Sequence, residues 1–237
     1  MINKKKILAI IPARGGSKSI KKKNLVKINK IPLIKYTINA ALNSNYLDEI
    51  VVSSDDEEII NYSIKQNVLA PFVRPKNLST DNAKSLPVIK HAIKFMEKIK
   101  SIKYEYILML QPTSPFRSAV DIDKCIKLLS KSNHLDSVVS VVNVGANHPY
   151  RMKIIKNNYL KNFFEQGFED MRPRQKLPSV YIRNGAIYLN TRTSIFTNNS
   201  LVGQKVKPYI MKKNKSINID SIEDLLIAKQ YLKNENS

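Results

Sequence analysis

Apolar positions in the first half of the chain fall into short continuous runs that alternate with spaced stripes. From Lys6 to Ile11 the sequence is almost wholly apolar and then breaks at Pro12, Arg14 and Gly15. That pattern belongs to a strand covered on both faces and followed by a loop. Leu33 to Leu42 has helical spacing, Ile50 to Ser53 reads as a second strand, and Ser54 to Glu57 has the form of a capping box opening a helix. Ala70 to Val73 predicts a third strand. Ser85 to Lys98 predicts a helix with Pro87 in its first turn and Val88, Ala92, Ile93 and Met96 on one face. Tyr106 to Leu110 is a fourth strand. Ser118 to Asp121 repeats the capping spacing ahead of a stripe of Ile122, Cys125, Ile126 and Leu129, which makes Cys125 a core residue. Ser137 to Val142 completes a strict strand and helix alternation. The expectation is an α/β protein with a mostly parallel sheet flanked by helices, because parallel strands need such crossovers.

The pattern changes after Val142. Asn, Gly, His and Pro crowd 143–149, and a polar stretch with isolated aromatics continues to Tyr181. Strand-like alternation resumes at Ala186 to Leu189 and at Val206 to Met211. A helix from Ser221 closes the chain, with Ile222, Leu225, Leu226 and Leu232 as its inward stripe. Residues 1–142 and 186–237 therefore read as one α/β domain, and 143–185 as an insert of the kind that carries an oligomer contact or a lid.

Composition narrows the class. A single cysteine excludes an internal disulfide and a thiolate zinc site. The apolar stretch Ile7 to Ala13 is too short for a spanning helix or a secretory core, so no membrane partner is expected and the cytoplasm is the default location. A net charge of +21 raises nucleic acid as a partner. However, the 40 basic residues include only 8 arginines, and runs such as Lys212, Lys213 and Lys215 lack the interleaved aromatics of a base-stacking surface. A small polyanionic substrate accounts for the charge equally well. A basic nucleic-acid-binding module stands as the second reading.

In an open parallel sheet ligands bind beyond the carboxyl ends of the strands. The first such loop, Pro12-Ala13-Arg14-Gly15-Gly16-Ser17-Lys18, continues to Lys23 and Asn24. Two glycines let the backbone approach a ligand, while Arg14, Lys18 and Lys23 can neutralise phosphate oxygens. It is neither a Walker A sequence nor a dinucleotide fingerprint. Asp55 and Asp56 have the look of metal ligands, but their spacing favours a helix start. The fourth strand ends in Gln111-Pro112-Thr113-Ser114-Pro115-Phe116-Arg117. This rigid loop offers an amide, two hydroxyls and a guanidinium to a polyhydroxy acid.

These loops occur in order with Arg74-Pro75, Arg174-Gln175, Asn184-Gly185-Ala186-Ile187-Tyr188 and Ile219-Asp220. Together they resemble the acylneuraminate cytidylyltransferases over nearly the whole chain. The resemblance implies a Rossmann-like nucleotide-diphospho-sugar transferase fold with a dimerisation insert. It also implies an enzyme joining CTP to a nine-carbon 2-keto-3-deoxy acid, with magnesium as cofactor, acting as a homodimer in which the insert of one subunit reaches toward the other's site. By the same resemblance Arg14, Lys18 and Lys23 are the catalytic cations, and Gly15, Gly16 and Ser17 join them around the triphosphate. Asn24, Arg74 and Ser85 contact cytidine, while Gln111, Thr113, Ser114, Arg174, Asn184 and Gly185 contact the sugar acid. Asp220 is the metal ligand. The Gln111 to Pro115 loop resembles the sialic and legionaminic branches better than the pseudaminic one. Three departures stand out: Asn218 where relatives often carry an aspartate, Ile182 with Arg183 beside it where an arginine is usual at the first position, and Lys176 after Arg174-Gln175.

Overall fold

The computed structural model describes residues 5–164 and 171–235. The chain enters through β1 (Ile7–Pro12) and passes a short turn of 3-10 helix at Lys23–Leu25. A hairpin of β2 (Lys27–Ile28) and β3 (Ile31–Pro32) follows, where Asn29 and Lys30 both take the positive φ that suits a two-residue connection. Then come α1 (Leu33–Leu42), β4 (Glu49–Ser53), α2 (Glu57–Lys65), α3 (Ser85–Lys100), β5 (Tyr106–Met109), α4 (Ala119–Ser130) and β6 (Ser137–Asn143). The second half contributes a ribbon of β7 (Lys153–Lys156) and β8 (Tyr159–Asn162), then β9 (Tyr181–Thr191), α5 (Arg192–Phe196), β10 (Val206–Ile210) and α6 (Ile222–Glu235).

Six strands form the central sheet in the order β10, β6, β9, β5, β1, β4. Pairings of β1 with β4 and β5, and of β10 with β6, are parallel, whereas β9 runs antiparallel between β5 and β6. The sheet is thus mostly parallel, as expected, and the strict alternation ends where β9 returns from the excursion. The apolar run of β1 is explained by cover on both faces. Ile7, Ala9 and Ile11 pack with Ile34 and Ile38 of α1 and with Ile122, Cys125 and Ile126 of α4. Leu8 and Ile10 pack with Ile89, Ile93 and Met96 of α3. Cys125 is fully buried there, and burial pushes its thiol pKa up, so it serves the core.

Several local expectations are corrected. Helix α2 starts at Glu57 with Asp56 as its cap, whose carboxylate accepts from the N–H groups of Glu58 and Ile59. Ser54 instead accepts from the Asp56 N–H. The capping box expected at Ser118 and Asp121 is present in full. Ala70 to Val73 forms no strand, only isolated bridges at Leu69 and Val73, since Pro71 cannot donate to a ladder. In α6 the inward stripe is Leu225 and Ala228 with Leu232 partly covered, while Ile222 and Leu226 are more than half exposed. Strand β9 begins at Tyr181, paired with Asn143, so the excursion leaves the sheet and re-enters it at one place. Its residues 165–170 lie outside the described residues. Both Ile182 and Arg183 are exposed at this end of β9.

Candidate active site

The carboxyl ends of β1, β4 and β5 lie side by side, which brings the loops after Pro12, Ser53 and Met109 to one rim. The first loop is pinned at its start by the Ala13 N–H donating to Ser53 O (2.9 Å). The Gly15 N–H donates to Asp55 Oδ1 (3.1 Å). A Cβ on Gly15 would lie 2.5 Å from Asp56 Oδ2, and Asp56 is committed to capping α2, so only glycine passes here. The two aspartates that resembled metal ligands thus have structural work. Asp56 caps a helix, and Asp55 shares one oxygen between the Gly15 N–H and Arg74 Nη2 (3.1 Å). Arg74 is 4% exposed, and burial lowers its pKa against the opposing pull of Asp55. Its Nε donates to Ser79 Oγ (3.1 Å).

A cavity of about 280 Å³ opens above this rim, lined by Arg14, Lys23, Asn24, Arg74, Ser85, Gln111 and Thr113 among others. These seven residues, separated by up to 99 positions in sequence, were all candidates on sequence grounds, and the fold gathers them around one space. Asn24 is buried and donates from its side chain to Arg14 O (2.8 Å), which links the 3-10 turn to the first loop. Arg14 Nη1 meets Asp81 Oδ1 at 2.6 Å, and Lys18 Nζ meets Asp81 Oδ2 at 2.9 Å. Lys18 and then Arg14 hold the Asp81 carboxyl below the usual carboxylate range. Gly16 has open space around its Cα, and Ser17 is half-buried next to it.

On the opposite wall, the Ile219 N–H donates to Thr113 O (2.8 Å), which draws the segment before α6 against the β5 loop. Asp220 Oδ1 then meets Lys23 Nζ at 3.0 Å, and the Asn218 amide donates to the other Asp220 oxygen. Ser114 is fully buried, its hydroxyl placed 3.3 Å from both Asn184 O and Asn218 Oδ1. Between the pairs Val139 with Tyr188 and Val141 with Arg183, β9 bulges at Asn184 to Ile187. Ser140 fills that bulge, donating to Asn184 Oδ1 (2.6 Å) and accepting from the Ile187 N–H (2.7 Å). The Asn184 amide donates to Ser216 Oγ (2.9 Å), so this side chain, 5% exposed, holds the bulge and is not free for a ligand. What the bulge presents is Gly185, at φ 77°, where a Cβ would lie 2.7 Å from Gln111 Oε1. Arg174 belongs to a short turn, Arg174–Lys176, in the excursion.

The guanidinium expected to face a polyhydroxy acid is elsewhere. Arg117 is 3% exposed beneath the loop, with Nη1 donating to Ala186 O (2.5 Å) and to Gln111 O (3.3 Å), and Nη2 to Thr37 Oγ1. It ties the Gln111 loop to β9 from below. Sequence reasoning also passed over Asp81, Ser140 and the pairing of Asp55 with Arg74. Asp81 carried one signal, an acid placed between two candidate residues, Arg74 and Ser85.

The chain is similar to known proteins over nearly its whole length. The cytidylyltransferase family profile matches residues 8–235. The chain is 34% identical to a pseudaminic acid cytidylyltransferase of Campylobacter jejuni, over 94% of this chain and 95% of that protein. It is 31% identical to a CMP-N,N'-diacetyllegionaminic acid synthase of Legionella pneumophila, over 96% of each. An N-acylneuraminate cytidylyltransferase of Escherichia coli is 34% identical over 94% of this chain and 51% of its own length. Overall identity therefore does not favour the sialic and legionaminic relatives over the pseudaminic one. Among solved structures, a CMP:2-keto-3-deoxy-manno-octonic acid synthetase complexed with CTP superposes with a TM-score of 0.69 at 17% identity, covering 97% of this chain and 99% of the other, which establishes the shared fold. With the family profile spanning nearly the whole chain and full-length relatives above 30% identity, the chain belongs to the cytidylyltransferase family.

Proposed function

We propose that the chain couples CTP to a nine-carbon 2-keto-3-deoxy sugar acid of the sialic, legionaminic or pseudaminic type, giving the CMP-sugar and pyrophosphate. The observation that carries this reading is that one cavity is ringed by Arg14, Lys23, Asn24, Arg74 and Ser85 together with Gln111 and Thr113. Arg14, Lys18 and Lys23, with the amides of Gly16 and Ser17, face the triphosphate, while the Gly15 N–H is held by Asp55. Asn24, Arg74 and Ser85 face cytidine. Gln111, Thr113 and Gly185 face the acid, and Ser114 and Asn184 hold that wall in place. The anomeric hydroxyl attacks the α-phosphorus, the bond to the bridging oxygen breaks, and pyrophosphate and the hydroxyl proton leave. Charge builds on phosphoryl and leaving oxygens, where fixed cations already in position are most effective.

Among the described residues no group of three His, Cys, Asp or Glu could hold a metal by itself. Asp220 offers one exposed carboxylate, beside an Asn218 amide whose N–H meets it and whose oxygen is taken by Ser114. That carboxylate fits magnesium, which takes one or two protein oxygens and completes its shell with phosphate and water. Asp220 would hold the ion on the triphosphate, and the ion, when bound, would supply Lewis-acid stabilisation of phosphate charge. The described part of the excursion carries Ile155, Tyr159, Leu160 and Phe163, all more than half exposed, and we propose that these apolar side chains meet a second copy in a homodimer. No helix among the described residues is long and apolar enough to cross a membrane.

Pyrophosphate release from CTP and magnesium, measured with sialic, legionaminic and pseudaminic acids in turn, tests the reading. Release with at least one acid is expected, and none with any of them would overturn it. Gly185→Ala tests the acid wall. A Cβ there pushes on Gln111 and sits at positive φ, so the variant is expected to lose about 1–2 kcal/mol of stability. Steady-state kinetics should show KM for the acid rising on the order of tenfold while KM for CTP stays near wild type.

A further inference from the structure

We propose that Asp81 is a resident anion that competes with the nucleotide's polyphosphate for Arg14 and Lys18, lowering the site's affinity for bound polyphosphate and easing pyrophosphate release. The proposal rests on the assignment of Arg14 and Lys18 to the triphosphate. Both carboxylate oxygens are in use: Oδ1 on Arg14 Nη1 at 2.6 Å and Oδ2 on Lys18 Nζ at 2.9 Å. One exposed side chain thus holds two of the three cations that would otherwise meet phosphate.

The other acids of the rim differ from it. Asp55 accepts from the Gly15 N–H and from the buried Arg74, so it is built into the loop. Asp220 is steadied by the Asn218 amide. Among the described residues no backbone N–H and no third side chain donates to Asp81. Its side chain is 41% exposed, on the turn between Arg74 and Ser85 that lines the cavity. Exposed ion pairs of this kind are weak and break readily for a stronger partner. A triphosphate engages Arg14, Lys18 and Lys23 together and can displace one carboxylate. After transfer, pyrophosphate is no longer tethered to the nucleoside contacts, and Asp81 stands ready to take back the same two cations as it leaves. The Arg14 fork has donors beyond the one Asp81 uses, so the exchange can proceed one bond at a time.

The test is calorimetric titration of wild type, Asp81→Asn and Asp81→Glu with inorganic pyrophosphate and inorganic tripolyphosphate in metal-free buffer, alongside pyrophosphate product inhibition with magnesium. Asp81→Asn is expected to bind both anions about five- to tenfold more tightly at low salt, with the gap closing at high salt, because a charge near a polyanion has been removed. Pyrophosphate should inhibit this variant at a proportionally lower concentration. Asp81→Glu, which keeps the charge, should stay near wild type. Asp81→Ser, at the same exposed turn, should behave as Asp81→Asn and covers a failure of that variant to fold. Unchanged or weaker anion binding in the neutral variants overturns the proposal and makes Asp81 a residue that only orients Arg14 and Lys18. Weakening confined to magnesium-containing buffer also overturns it, in favour of a metal role. Wild type that binds tripolyphosphate but shows no preference for CTP among nucleotides would sink the nucleotide reading while leaving this competition intact.

Discussion

Arg14→Ala is expected to leave the protein folded and to slow turnover by roughly a hundredfold or more, the usual cost of deleting a donor that meets charge developing in the transition state. The structure separates the two effects. The Arg14 side chain is about one-third exposed, and its only ion-pair partner among the described residues is the exposed Asp81. The backbone carbonyl that receives Asn24 is unaffected by truncation of the side chain. Circular dichroism and the melting temperature should therefore match wild type. The loss should fall on kcat as well as on KM for CTP, since an interaction made only with ground-state triphosphate would change KM alone. A near-normal rate would mean that the phosphates bind elsewhere.

Arg117→Met is expected to act the other way, through the fold. The guanidinium is buried with carbonyl oxygens of Ala186 and Gln111 and the Thr37 hydroxyl as its partners, and burial lowers its pKa. Methionine fills similar space but removes the donor from Ala186 O and Thr37 Oγ1 in a place water does not reach, and leaves Gln111 O with the Ser114 N–H alone. The cost is about 2–4 kcal/mol, a fall of roughly 5–15 °C in melting temperature for a chain of this size. Activity of the fraction still folded should also fall, since the Gln111 loop loses its tie to β9. Lysine should not rescue it, because a single ammonium cannot span three acceptors that need a planar fork. An Arg117→Met protein with wild-type stability would show that the loop is held by its prolines alone.

Local patterns are decisive where one element settles the matter by itself. The β1 run, the spacing of α1, and the Ser118 to Asp121 box are each short-range patterns, and each appears as expected. Local pattern and structure part where two conformations of a segment differ only by what packs on it. Ala70 to Val73 has strand-like residues, but Pro71 cannot donate to a ladder, and among the described residues the segment makes only isolated bridges at Leu69 and Val73. The exposed Ile222 and Leu226 have the chemistry of an inward stripe and lie on the outside of α6. Charge posed the same difficulty in the site. Arg117 and Arg14 look alike in a polar loop, yet one is locked beneath the rim and the other points into the cavity, and nothing local distinguishes them.

From its order of residues alone, this chain determined a mostly parallel α/β sheet, the two loops that border its cavity and the family to which it belongs. These depend on periodicity and on motifs that persist without a partner in space. Only the tertiary structure decided which polar groups are spent on each other. Asp55 holds Arg74, Asn184 fills a bulge with Ser140, and Asp81 occupies Arg14 and Lys18, all across separations from 19 to 67 positions. Hydrogen bonds and ion pairs act over a few ångströms, so their partners are set by the packing of the sheet and not by distance along the chain.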